Sequence, residues 1–576
     1  MQDQKMMTDE EEALLLHSSK SKGGFRTLPF IIVNKAFENV ASLGLSPNMI
    51  VYLMGSYGMK LTTGSNYIYF WSAAMNFTPV AGAFLADSCV SRYHMIGFGS
   101  VISLLGMIFL WFTAMIPGAT PCNESQSDQC RSPNVLQLGL LISSFILMSL
   151  GAGGVRSSTF PFAADQLSSD DIARRPNLIE QVLNWTQFAC GVAAIVAMTV
   201  LVYIQENYGW KVGFGVPVAF MLLSFLSFYM ASPMYIKLKP KGGSPASFAR
   251  VLVAAWKKRR LTLIGRDDLV YHQRKGSRLK IPTDKLRCLD KACIIVNAKE
   301  ELALDGAVLN PWTLCEIDQV EEVKAIIKVL PIMSAGIIVS VNGIATASVL
   351  QARSMDRHLT ENFEVPAGSF GSFLIIAIVL WILIYDRILI PLATKILGKP
   401  ARLTPRTRMG IGLILFTMSV AATAIVEGVR REKAIQQGFS DNPSGVVNMS
   451  AFWLLFHSLF AGMGEAFLVI SQTEFFYLEF PKTMSSIATN IGSLGGSVAG
   501  LLSTLLMNTI DSITSKGGKE SWVSSNINKG HIDYYYWLLT GLYLLNFFYY
   551  LFCSQAYGPS DAQHMLRPED EMISDE

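Results

Sequence analysis

HMIGFGSVISLLGMIFLWFTAMI, residues 94–116, runs unbroken without a single Asp, Glu, Lys or Arg. About 20 consecutive apolar residues cross the hydrocarbon core of a bilayer as an α-helix, so this stretch reads as a membrane span. Five further windows are equally clear, at 136–150, 216–230, 370–385, 487–507 and 534–552. Six more are interrupted by charge, Pro or Gly, at 27–54, 67–86, 182–204, 326–350, 409–425 and 451–470. Together they predict an all-α polytopic membrane protein with twelve transmembrane helices. Composition agrees. With 576 residues, 51% hydrophobic and 16% charged, the chain has too few charges to coat a soluble globule of this size.

A formal net charge of +3 gives no reason to expect a nucleic-acid partner, and the distribution of charge is more telling than its sum. Arg92, Lys395, Lys399, Arg402, Arg406 and Arg408 lie in short loops, and the long segment 237–291 is basic. The positive-inside bias places these on the cytosolic side, and an even number of spans then leaves both termini there too. The opening MQDQKMMTDEEEALLLHSS, residues 1–19, lacks the basic start and apolar core of a cleavable signal peptide. None of the eight cysteines forms a CxxC or Cys/His cluster, so no metal or other cofactor is expected. Cys122 and Cys130 share the loop GATPCNESQSDQCRSPN, 118–134, on the expected outer side, where a disulfide would persist; two free thiols are the alternative. Asn123 in the same loop opens an Asn-Glu-Ser glycosylation pattern.

The spans fall into two sets of six around a polar connector. Expected boundaries are a cytosolic tail at 1–24, a six-helix bundle at 25–235, a cytosolic connector at 236–319, a second six-helix bundle at 320–556, and a tail at 557–576. Within the connector, Phe248, Val251, Leu252, Ala255 and Trp256 recur at helical spacing before Lys257, Lys258, Arg259 and Arg260. That pattern fits an amphipathic helix on the inner leaflet or a solvated linker helix. No Walker-type phosphate loop is present, which argues against direct drive by ATP.

An ionisable side chain at the centre of a span costs about 2.5–3.5 kcal/mol on insertion scales unless it is satisfied, and so marks a cavity or an ion pair. Lys35, Glu38, Arg156 and Glu465 are in this position. Lys35 and Glu38 are three residues apart in IIVNKAFENVASLGL, 31–45, and share a helix face, where they can neutralise each other. Arg156 closes the glycine run 151–154, whose missing side chains let a neighbouring helix approach. His457 precedes Glu465 by eight residues on nearly one stripe, about 12 Å along a helix; it reads either as a titrating group or as a satisfied packing residue. Asp87 with Arg92, and Asp386 with Arg387, sit at the inner ends of the second and eighth spans, as paired gating latches or as ordinary helix-end charges.

Four motifs then stand out: GAFLADSCVSRY at 82–93, GAGGVRSSTFPFAADQ at 151–166, WKVGFGVP at 210–217, and GEAFLVISQTEFFYLEFPKTMSS at 464–486. Together they resemble plant members of the proton-dependent oligopeptide transporter, or nitrate–peptide transporter, family of the major facilitator superfamily. The resemblance implies two bundles rocking around a central site, usually driven by inward proton flow. It implies that Arg156 and Glu465 are a gating and coupling pair, expected to meet across the halves in at least one conformation of the cycle. The family's first-span motif, Glu-x-x-Glu followed by Arg or Lys, reads Lys35-Ala36-Phe37-Glu38-Asn39 here. Only its second glutamate is present, which implies weakened proton coupling. Ala41-Ser42-Leu43 replace the aromatic pair of peptide carriers, which turns the reading away from peptides. The expected partner is a small anionic solute, nitrate first, with an organic acid hormone, a glucosinolate-like metabolite or a peptide as alternatives. A solute-sensing receptor is the rival class. An enzyme is not expected, since no span carries a nucleophile with its base. The plasma membrane is the expected location, with the vacuolar membrane as the alternative.

Overall fold

The computed structural model describes residues 23–24, 26–88, 90–122, 132–167, 178–238, 245–261, 270–273, 282–283, 286–297, 301–302, 308–341, 343–398, 403–443, 445–479 and 485–558. Helices dominate. In the first half they are α1 (Leu28–Leu43), α2 (Met49–Gly55), α3 (Leu61–Ser88), α4 (Arg92–Met115), α5 (Val135–Asp165), α6 (Leu178–Val196) and α7 (Val202–Met230), with a wide turn at Ala197–Leu201 joining the last two. The connector carries α8 (Pro245–Lys257). The second half contains α9 (Ile317–Val339), α10 (Gly343–Arg353), α11 (Gly371–Ile384), α12 (Ile390–Leu397), α13 (Pro405–Gln436), α14 (Leu455–Glu479), α15 (Ser485–Thr514) and α16 (Ile532–Tyr557).

Eight helices among the described residues are long and apolar enough to cross a membrane. One of them, Phe188–Met234, is 47 residues long, about twice what a span needs. It breaks at Gly209, whose φ of 77° and ψ of 175° no helix contains, and the chain turns back there. α1, α3 and α9 fall below the same test because α1 is 16 residues long, α3 is rich in Thr, Ser and Asn, and α9 opens with a run of charges.

Close helix packing rests on small residues, as expected where lipid supplies no hydrophobic drive between helices. A Cβ added to Gly99 of α4 would lie 2.8 Å from the Gly151 carbonyl of α5, and one added to Gly82 of α3 would lie 2.5 Å from the Gly153 carbonyl. The glycine run before Arg156 therefore seats α5 against both neighbours. Gly412 of α13 and Gly464 of α14 do the same in the second half.

Several windows differ from their sequence reading, the first, fourth and seventh among them. The first is split, because Gly44 and Pro47 interrupt it between α1 and α2. The fourth runs on to Asp165. The seventh begins at Ile317 rather than 326 and stops at Val339, with α10 a separate helix. Its charged start is held in the connector: Glu316 forms a capping box with Gln319, and buried Lys324 pairs with Asp290 at 2.6 Å and Glu321 at 2.7 Å. The connector is accordingly a packed module, in which Val251, Ala254 and Ala255 of α8 share one core with Leu289, Cys293, Cys315, Val320 and Val323.

Candidate functional site

α1 brings Lys35 and Glu38 together as an ion pair of 2.8 Å. Glu38 is fully buried; Ser42, one turn on, donates to its Oε1 at 2.9 Å, and Arg156 Nε of α5 stands 3.5 Å from the same oxygen. Arg156 Nε makes no hydrogen bond among the described residues, so its hold on Glu38 is electrostatic. Two cations thus face one carboxylate, and the Arg156 side chain reaches on into a cavity between the halves.

That cavity measures about 490 Å³. Arg156, Trp71 and Asn76 line it from the first half; Phe370, Phe416, His457 and Glu465 line it from the second. Ser419 Oγ lies 2.7 Å and Thr423 Oγ1 3.0 Å from His457 Nδ1. Both hydroxyls also donate to backbone carbonyls, Ser419 to His457 and Thr423 to Ser419. A hydroxyl that gives its proton to a carbonyl accepts from Nδ1–H, so these contacts favour the Nδ1–H tautomer. Glu465 has no hydrogen bond or ion pair among the described residues. The cavity therefore has a basic wall on one bundle and an acid without a counter-ion on the other.

Of the five site residues expected from the sequence, Arg156, His457 and Glu465 meet at this cavity, while Lys35 and Glu38 stand behind Arg156. Arg156 and Glu465 do not touch in this conformation; Arg156 is drawn to Glu38 instead. The expected latches differ more. Arg92 Nη1 donates to both oxygens of Asp165, at 2.9 and 2.8 Å, so it ties α4 to the end of α5; the Asp87 side chain lies outside the described residues. Asp386 and Arg387 are exposed on the wide turn Tyr385–Leu389 between α11 and α12 and join no ion pair among the described residues. Cys122 is disulfide-bonded, whereas Cys130 and Asn123 lie outside the described residues.

Sequence reading missed two groups. Glu206 of α7 accepts from Arg357 at 2.8 Å and from the Ala367 amide at 3.3 Å, and Arg357 also pairs with Glu364 at 2.7 Å. This joins the first half to the second at the end opposite the connector, where Leu61 N also donates to Ser525 and Asn66 to Asn508. Inside α13, Glu427 and Arg430 form a fully buried pair that reaches Ser354 and Asn528. Only the three-residue spacing of Glu427 and Arg430 could have signalled the second group; nothing local signals a partner 151 residues away.

The model of the POT family matches residues 93–523. The chain belongs to the POT family. Two relatives from Arabidopsis thaliana extend the match along nearly all of it: Protein NRT1/ PTR FAMILY 1.2 is 46% identical over 98% of this chain and 96% of its own length, and Protein NRT1/ PTR FAMILY 1.1 is 45% identical over 96% of each. Among solved structures, the POT family transporter PepTSo aligns over 92% of this chain and 98% of its own, with a TM-score of 0.67 at 17% identity. An auto-inhibited POT family peptide transporter aligns over 94% and 99%, with a TM-score of 0.69 at 18% identity. The fold is therefore the major facilitator fold, and this POT family member is an integral membrane transporter.

Proposed function

We propose that the protein carries a small anionic solute, nitrate first, across the plasma membrane by alternating access, with proton coupling weaker than in relatives that hold the complete first-span motif. The observation that carries this reading is the charge balance at Glu38, where Lys35 and Arg156 share one carboxylate and leave one positive charge at the cavity wall. A cation partly withdrawn from water without a full counter-charge is costly, and an anionic solute supplies what is missing. Glu465 is the acid best placed to take a proton along with it. A second reading, a larger organic anion, draws support from the cavity itself: about 490 Å³ lined by Trp71, Phe370 and Phe416 suits an apolar body as well as a charged end.

Voltage-clamped oocytes expressing the protein, exposed to nitrate, organic acids and dipeptides at two external pH values, test the proposal. Saturable currents with nitrate support the first reading, and responses to organic acids alone support the second. Robust dipeptide currents with no response to any anion would overturn both.

A further inference from the structure

The connector helix α8 has a second apolar face that its own module leaves uncovered. Val251, Ala254 and Ala255 pack inward, whereas Phe248, Leu252 and Trp256, spaced four residues apart, are 36%, 39% and 65% exposed. Large aromatic and aliphatic side chains in a row on a solvent-facing stripe are costly unless something covers them. The charges around this stripe have one sign. Residues 245–260 contain no acid; Lys257, Arg259 and Arg260 are exposed at its end, and the Arg259 guanidinium lies 4.3 Å over the Trp256 ring. Lys258, by contrast, is already committed to Glu301 at 2.8 Å and the Ile294 carbonyl at 2.7 Å.

The depth of the helix points to its partner. α8 shares its core with Val320 and Val323 of α9, and the charge-free run of α9 begins at Val329. Six residues from Val323 to Val329 rise about 9 Å, which puts Val323 at the outer edge of a headgroup layer roughly 5–8 Å thick. α8 therefore packs at the outer edge of the headgroup layer, on a span that continues into the bilayer. A Trp-bearing apolar stripe flanked by basic residues at that depth has the chemistry of an interfacial, anionic-lipid-binding element.

We infer that the Phe248, Leu252 and Trp256 face of α8 lies on the inner leaflet, with Lys257, Arg259 and Arg260 engaging anionic phospholipid headgroups. The test uses the full-length protein in nanodiscs of phosphatidylcholine alone and of phosphatidylcholine with phosphatidylserine. Amide exchange across 245–260 should be slowest in the anionic discs, and should speed up there by about fivefold for each charge removed in Lys257→Gln, Arg259→Gln and Arg260→Gln. A benzophenone amino acid in place of Leu252 should crosslink to phospholipid. Exchange that is equal in both lipids, or crosslinks that go to the helical bundles, to another protein or to nothing, would overturn the inference.

Discussion

Lys35 and Arg156 compete for one carboxylate, and the geometry ranks their claims: Lys35 makes a hydrogen-bonded pair with Glu38 at 2.8 Å, Arg156 a looser contact at 3.5 Å. Removing Glu38 strands both cations, so Glu38→Ala should cost about 3–5 kcal/mol of stability. Removing Arg156 leaves the tighter pair intact and should cost much less while abolishing transport. Thermal unfolding in detergent, read beside uptake, checks the order, and an equal loss of stability from the two changes would contradict it. The positions of Arg156, His457 and Glu465 were legible in the sequence because a polar group inside an apolar span must face a cavity or a partner. Their partners were not legible. Arg156 was expected to meet Glu465 in at least one conformation, and in this one it leans on Glu38, a contact that joins α1 to α5.

At the scale of elements, the connector and the end opposite it carry the features that periodicity does not show. The apolar residues of α8 read as one face, yet they divide between the connector core and an exposed stripe, because what packs against them comes from residues 289–323. Burial pushes the Cys293 thiol up to about 12 and the Cys315 thiol up to about 11, while Cys288 is exposed. Since the thiolate is the reactive form, maleimide at neutral pH should label Cys288 in the native protein and reach Cys293 and Cys315 only after unfolding. Ready labelling of all three would mean the connector is not packed. At the opposite end, Arg357 joins Glu206 to Glu364. Partly exposed pairs contribute up to about 1 kcal/mol, so Arg357→Ala should raise the rate at which a membrane-impermeant thiol reagent reaches a cysteine placed at the cavity residue Ser348 by up to about fivefold. An unchanged rate would show that the pair does not seal that end.

For the whole molecule, the sequence was most informative about the fold, because long apolar windows have few alternatives in a bilayer and the charge pattern orients them. It was least informative about the conformational state. The contacts that close one end, Glu206 with Arg357, Leu61 with Ser525 and Asn66 with Asn508, each join residues far apart in the chain. Energetics connects this architecture to its cargo. Moving one negative charge into a compartment held about 100 mV negative costs roughly 2.3 kcal/mol, so an uncoupled anion enters only down an outside excess above about fifty-fold. An accompanying proton lowers that requirement, and Glu465 faces the cavity without a counter-ion among the described residues. The most direct measurement is uptake of labelled nitrate and of an organic anion into proteoliposomes of the purified protein, with an imposed inward proton gradient and without one. The account predicts saturable anion flux that the gradient increases and that Arg156→Gln abolishes. Binding of the anion with no flux under either condition would contradict it and would mark the protein as a receptor.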